Sequence, residues 1–173
     1  MLPDSTAYSE WEANSYLSRA ALVGRSERGE GRHYTRLRLH DFMTLSPDSV
    51  LEASYHFRRL DASDEVSLKA REVEDVWAAP QLLWDSQPML GDAVGAAEPE
   101  GNGWYAAEMR SFVQECLADP TGEKESQGFA LCGQGEGSAL IATSDNTLHP
   151  PYLELRLKGL PASFDRQRLE AGL

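Results

Sequence analysis

The feature that most constrains the fold of this chain is a series of short alternating apolar segments, broken roughly every ten residues by clusters of Gly, Pro, Ser or Asp. In the segment HYTRLRLHDF this alternation places Leu37 and Leu39 on one face of a strand. Arg36 and Arg38 then point the opposite way, because successive side chains of a strand alternate between its faces. The same pattern recurs in SVLEASYHFRRL, EVSLKAREV, GFALCG, SALIATS and YLELRLKGL. It predicts an all-β sandwich or barrel.

Helical spacing is confined to one stretch, WYAAEMRSFVQECLADP, in which these residues recur at intervals of three and four: Met109, Phe112, Val113, Cys116 and Leu117. The sequence therefore predicts at most one or two short helices. Residues 92–103 and 119–127 are rich in small and polar side chains, and we expect both to be loops. The polar end, residues 159–173, is expected to be a C-terminal tail or linker, which leaves a single domain over residues 4–158.

The charge of the chain narrows the classes of partner. The 28 acidic and 16 basic residues give a net charge of -12, which repels phosphate groups over a Debye length of roughly 10 Å. We therefore expect neither nucleic acid nor an anionic membrane surface as a partner. Residues 1–20 contain acids and no apolar core segment, and the chain has no apolar run of about 18 residues. Neither a signal peptide nor membrane insertion is expected.

Motifs for catalysis and for metal binding give little support to an enzyme. The sequence has no Gly-x-Ser-x-Gly, and no Ser or Cys stands in a recognisable arrangement with the four histidines, His33, His40, His56 and His149. The Gly-rich CGQGEGSA lacks the Lys-Ser/Thr of a P-loop. A metal-dependent enzyme using His40 and Asp41, or a hydrolase with paired carboxylates, is the less favoured alternative. The metal content stays open, with Ca²⁺ as the candidate because the chain is rich in carboxylates.

Several further segments follow one another in a characteristic order. They are DSTAY, ANSYLSRAALVG, TRLRLHDF, LSPDSVLEASYHFRR, then Trp77 with LWDSQP, and finally VQEC, GFAL and PPYLELRL. In this order the chain resembles the DNRLRE-type domain, a jelly-roll-like antiparallel β-sandwich of large extracellular bacterial and archaeal proteins, some of which bind or act on polysaccharides. The resemblance covers residues 4–158. The chain departs from the family pattern at Leu17, Leu83 and Cys116.

The resemblance carries implications for location and for particular residues. It implies an extracellular or cell-surface module attached to other domains of a parent protein, the alternative being a cytoplasmic chain. It implies that Trp77 and Trp84 belong to the buried framework rather than to a sugar-binding platform. Cys116 stands where the family has a Trp beneath the strand that holds Cys132, which implies that the two cysteines lie close together, as a disulfide or as two thiols.

Carbohydrate binding requires exposed aromatic rings that stack on sugars and a few polar groups for the hydroxyls. The candidate aromatic residues are Tyr8, Trp11, Tyr16, Trp104 and Tyr105. Arg36 and Arg38 are candidates for pairing with the carboxylate of an acidic sugar, the alternative being that they pair with acidic residues of the surface. Trp104 has the alternative of packing into the core.

Two classes of function follow from the sequence and the resemblance. The first is a non-catalytic carbohydrate-binding or adhesion module with a polysaccharide or glycan as its partner. The second is a structural spacer or protein-interaction domain of a large secreted or surface protein, with no small ligand.

Overall fold

The computed structural model describes residues 5–8, 18–27, 29–39, 45–61, 66–159 and 167–170, with the backbone alone for Ser5, Tyr8 and 167–170. These residues form eleven strands and two short α-helices. The strands are β1 Ser5–Tyr8, β2 Ala20–Ser26, β3 Gly29–Thr35, β4 Val50–Arg58, β5 Ser67–Val73, β6 Leu90–Gly101, β7 Trp104–Glu108, β8 Phe129–Gln134, β9 Gly137–Ala142, β10 Tyr152–Leu157 and β11 Gln167–Glu170. The helices are α1 Arg110–Ala118 and α2 Glu123–Gln127, and short 3₁₀ turns cover Pro47–Ser49, Ala79–Gln81 and Trp84–Ser86.

The strands form one curled antiparallel sheet. Its strand order is β11-β10-β4-β7-β6-β5-β8-β3-β2-β9, and β1 pairs with β3. The β9 edge comes back to β4, the third strand from the opposite edge. Arg59 just after β4 forms a bridge with Ile141 of β9, and the Leu60 amide donates to the Leu140 carbonyl at 2.7 Å. This architecture confirms the expected all-β, antiparallel, sandwich-like fold with at most two short α-helices.

The main core fills the inside of the curled sheet. In β10 the side chains of Leu153, Leu155 and Leu157 are buried, whereas the intervening residues point outward. The same alternation places Tyr55 and Phe57 of β4 inside. Each such side chain stabilises the fold by about 1.5–3 kcal/mol through burial, which explains why the alternating segments became strands.

Helix α1 begins later than the sequence suggested. Residues 104–108 form β7 and pair with β4, so the helix covers only Arg110–Ala118. Its buried side chains, Phe112, Val113 and Cys116, belong to the periodic set and pack into the main core. Gln114 anchors the helix by donating from Nε2 to the carbonyls of Pro47 and Val50 at 3.2 and 3.1 Å.

The expectation of loops at 92–103 and 119–127 was wrong in part. Residues 90–101 form β6, which pairs first with β5 and then with β7. Its small residues allow this close approach, because a Cβ at Gly95 would lie 2.2 Å from the Glu108 carbonyl oxygen. The second segment contains α2, and the C-terminal segment that was expected to be a tail contributes β11, paired with β10.

A second, smaller core lies on the outer side of β3 and β8. It consists of Ala7, Tyr34, Val73, Trp77, Ala79, Leu82 and Ala130, with Trp84 packed against its edge. The Trp77 ring is buried, and its Nε1 donates to the Gln127 carbonyl at 2.7 Å. Trp84 is half-buried, with the Arg32 guanidinium 4.8 Å above its ring. The framework role expected from the resemblance therefore fits Trp77 fully and Trp84 in part.

The two cysteines are free and lie in different cores. Cys116 is in the main core, whereas Cys132 points from β8 into the second one, so the sheet separates them. The expected proximity of the two cysteines was therefore wrong, since they pack on opposite sides of the sheet. Burial raises the pKa of the Cys116 thiol to about 12 and that of the Cys132 thiol to about 11.

Replacing Trp77 by Ala should lower the free energy of unfolding by about 3–5 kcal/mol, because the substitution leaves a cavity in the second core. Trp84→Ala should lower the free energy of unfolding by a smaller amount, since the Trp84 side chain is only half-buried. Urea unfolding followed by circular dichroism measures both variants. Equal stability of the Trp77→Ala variant and the parent would contradict the framework role.

Native protein purified without a reductant should contain two thiols that react slowly with a disulfide reagent near neutral pH, because burial raises both pKa values and the thiolate is the reactive form. The reaction of Cys132 should accelerate as the pH approaches 11. Unfolding in denaturant should release both thiols at once. Recovery of a disulfide-linked species by mass spectrometry would contradict the separation of the cysteines.

Candidate functional site

Polar and aromatic side chains gather on the outer face of β10, β4 and β7. We define the aromatic-histidine patch as His56 and Arg58 of β4, Trp104 of β7, and His149 and Tyr152 at the entry to β10. Strand register produces it, because Tyr152 lies opposite His56 and Trp104 lies opposite Arg58. The neighbouring residues Tyr55 and Phe57 point into the core, so alternation directs His56 and Arg58 outward.

The rings of the patch contact one another in a continuous row. His56 stacks on Tyr152 with centroids 4.6 Å apart and an angle of 9° between the ring planes. Tyr152 in turn lies 5.5 Å from Trp104, and Trp104 lies 6.4 Å from His149 in an edge-to-face arrangement. Trp104 and Tyr152 are half-buried. Each of these two residues therefore keeps part of its surface open to solvent.

His56 connects the patch to acidic side chains on β6 and β10. Its Nδ1 lies 2.8 Å from Oε2 of Glu100 on β6, and its Nε2 lies 3.9 Å from Oε2 of Glu154 on β10. The residue opposite His56 on β7 is Ala106, whose methyl group leaves room for the contact with β6. The His56 side chain is only 7% exposed. The imidazole thus fixes the position of the Tyr152 ring.

Arg58 contacts a histidine, although the chain has 28 acidic residues that could pair with an arginine. Its Nη1 lies 3.0 and 2.7 Å from the two ring nitrogens of His149. Within the described part of the chain, no carboxylate forms an ion pair with Arg58. The guanidinium therefore adds a hydrogen-bond donor beside the Trp104 ring.

The structure brings few of the predicted site residues together. Trp104 is the member that lies in the patch. Tyr105 points the other way, where its ring stacks on Phe57 at 5.9 Å and lies under the Arg59 guanidinium at 5.4 Å. Tyr8 lies in β1 opposite Gly31, and its side chain is outside the described residues. Trp11 and Tyr16 also lie outside the described residues.

The two candidate arginines have different environments. Arg36 donates from Nη2 to the Trp77 carbonyl, and its guanidinium lies 4.3 Å from the centre of the Trp77 ring. Burial lowers the pKa of Arg36. Its contacts thus join it to the framework around the second core, whereas Arg38 is exposed. Both arginines point away from the buried Leu37 and Leu39, as the alternation predicted.

Sequence reasoning missed four of the five patch residues: His56, Arg58, His149 and Tyr152. The alternation in SVLEASYHFRRL does place His56 and Arg58 on one face. Their closeness to Tyr152 and Trp104 follows from strand register, which the alternation alone does not define.

Metal and membrane features are limited in the described ranges. No group of three or more His, Cys, Asp or Glu side chains among those residues is arranged to hold a metal ion. No helix in the described segments is long and apolar enough to cross a bilayer.

Comparison with known proteins assigns no family to the chain. No protein-family model matches the sequence. A search of curated proteins likewise gives no significant match.

Proposed function

We propose that the chain is a non-catalytic carbohydrate-binding or adhesion module, part of a larger extracellular or cell-surface protein and similar to DNRLRE-type domains. The observation that carries the proposal is the row of half-open Trp104 and Tyr152 rings on an outer strand face, beside Arg58, His149 and Glu100.

The chemistry of the patch suits a hydroxyl-rich ligand. A sugar ring presents C–H groups on one face, and an aromatic ring offers a flat apolar surface for them. Hydroxyl groups at the edge of that sugar both donate and accept hydrogen bonds. Glu100 and Glu154 supply acceptors, and Arg58 supplies donors. A polysaccharide fits this pattern better than a purely apolar ligand does.

The contacts of the patch favour binding over turnover. Oε2 of Glu100 is engaged with His56, and the imidazole lies between this carboxylate and that of Glu154. A pair of catalytic carboxylates would need the sugar and water in that space. Affinity for one site should be modest, because a half-open surface removes little of a glycan from water.

A protein-interaction domain is the second candidate function. The observation that favours it is a concentration of exposed apolar side chains between residues 76 and 89, on a segment that contains none of the patch residues.

The Trp104→Leu variant should bind polysaccharide about tenfold more weakly, because loss of a stacking ring removes on the order of 1 kcal/mol or more. A glycan array with the purified chain would identify the ligand, and calorimetry would then compare the variants. Trp84→Leu is the matched control, since it removes a half-buried Trp from the second core. The affinity of the Trp84→Leu variant for the polysaccharide should equal that of the parent.

Trp11→Ala tests the other location that the sequence predicts for binding. We expect this variant to weaken polysaccharide binding while its melting temperature changes by no more than a few degrees. Loss of binding in Trp11→Ala but not in Trp104→Leu would move the site from the patch to the N-terminal aromatic residues. No binding of any array glycan by the parent would favour the protein-interaction function.

A further inference from the structure

We infer that the surface formed by Val76, Leu83 and Met89 docks a protein partner that presents an apolar side chain flanked by basic residues. We call it the 76–89 surface. It involves none of the patch residues, and the inference does not depend on glycan binding.

Exposure is the first observation behind this inference. Val76 is 71% exposed, Met89 is 61% exposed and Leu83 is 39% exposed. Five large apolar side chains are this exposed in the described part of the chain, and these three fall within 14 residues of sequence. Single exposed apolar residues are normal on protein surfaces, whereas a cluster is typical of a contact site.

The backbone brings the two ends of this segment together. The Glu74 amide donates to the Met89 carbonyl at 2.9 Å, and the Met89 amide donates to Oδ2 of Asp75 at 2.8 Å. Val76 comes directly after Asp75 in the sequence, so these two hydrogen bonds hold Val76 and Met89 close together at the two ends of the segment.

A hollow of about 290 Å³ lies within the segment. Its apolar lining consists of Val76, Trp77, Ala78, Leu82 and Pro88, whereas Leu83 and Met89 are not part of the lining. This volume is at the lower limit of ligand pockets, which measure about 300–1,000 Å³. It offers room for one large apolar side chain rather than for an extended ligand.

The segment is held in place before any partner arrives. Gln87 accepts a hydrogen bond from the Tyr34 hydroxyl at 2.7 Å and donates to the Trp84 carbonyl at 2.7 Å. The Ser86 hydroxyl donates to the Leu83 carbonyl at 3.3 Å and accepts from the Leu83 amide at 3.1 Å. A surface that is already ordered loses little conformational entropy on binding.

Charge determines the kind of partner. The exposed acids Glu74 and Asp75 directly precede Val76 in the sequence, and the lining of the hollow includes Asp75 but no basic residue. Arg36 lies over Trp77, and Arg32 pairs with Glu30. Arg32 and Arg71 line a separate neighbouring hollow that also includes Asp85 and Met89, and Arg71 donates there to the Gly91 carbonyl. Basic residues beside an apolar side chain complement this surface. A second copy of the chain, with its net charge of -12, would be repelled.

A peptide titration of the full ¹⁵N-labelled chain tests the inference by NMR. The probe is the acetylated and amidated peptide Lys-Lys-Leu-Lys-Lys, and Lys-Lys-Ser-Lys-Lys is its polar counterpart. The leucine peptide should shift the amide signals of residues 76–89 and should bind about tenfold more tightly than the serine peptide, because only leucine buries apolar area in the hollow.

Variants then locate the contact. Val76→Ser combined with Met89→Ser should weaken binding of the leucine peptide about tenfold. Leu148→Ser is the matched control, because Leu148 is 81% exposed and lies outside the surface, and its affinity should equal that of the parent. Asp75→Asn removes the acid that lines the hollow and keeps an oxygen for the Met89 amide, so it should weaken binding and reduce its salt dependence. Asp48→Asn, at an exposed acid elsewhere, should not. Melting temperatures confirm that each variant is folded.

Four outcomes would overturn the inference. The first is equal affinity for the leucine and serine peptides, and the second is a set of shifts outside residues 76–89. The third is equal binding of Glu-Glu-Leu-Glu-Glu, which would remove the role of charge. The fourth is a dimer of the parent that disappears in the Val76→Ser/Met89→Ser variant, which would make a second copy the occupant.

Discussion

The fold depends on one strand, β6, pairing with β5 along its first part and with β7 along its second. Backbone must pass close to backbone where the strand changes partner, and a Cβ at Gly95 would lie 2.2 Å from the Glu108 carbonyl oxygen. Glycine is therefore required there by space. Because of this change of partner the sheet curls round a single main core, and its two halves acquire different outer faces.

The two outer faces differ in what covers them. On β3 and β8 the outward side chains are Tyr34 and Ala130, and the segment that carries Trp77 and Leu82 packs over them as the second core. On β10, β4 and β7 the outward side chains are those of the aromatic-histidine patch, in which Trp104 and Tyr152 stay half-open. The covering segment is itself apolar on its outside, at Val76 and Met89. The aromatic-histidine patch thus lies where the outer side of the sheet is left uncovered, and the 76–89 surface lies on the segment that covers the other part.

Periodicity predicted the strands that bury side chains on one face. YLELRLKGL is the clearest case, because Leu153, Leu155 and Leu157 are all inside. Periodicity did not predict β6, because the segment DAVGAAEPEGNG has few large apolar residues. That strand is held by backbone pairing on both sides and needs small residues for its close approach. For the site, sequence singled out Trp104 but paired it with Tyr105, although neighbours on a strand face opposite ways. His56 and Tyr152 meet through the register of β4 and β10, which is a tertiary property.

The tryptophans show why composition alone does not reveal function. Trp77 is buried and hydrogen-bonded through Nε1, Trp84 carries the Arg32 guanidinium over its ring, and Trp104 lies 5.5 Å from the Tyr152 ring at a tilt of 59°. A cation over one face of an indole already occupies the surface that a sugar would need. Stacking on Trp84 would first require Arg32 to leave Glu30, whose carboxylate lies 3.1 Å away. No cation lies over the Trp104 ring among the described residues, and this difference is the physical reason to prefer the patch to Trp84 for the proposed glycan binding.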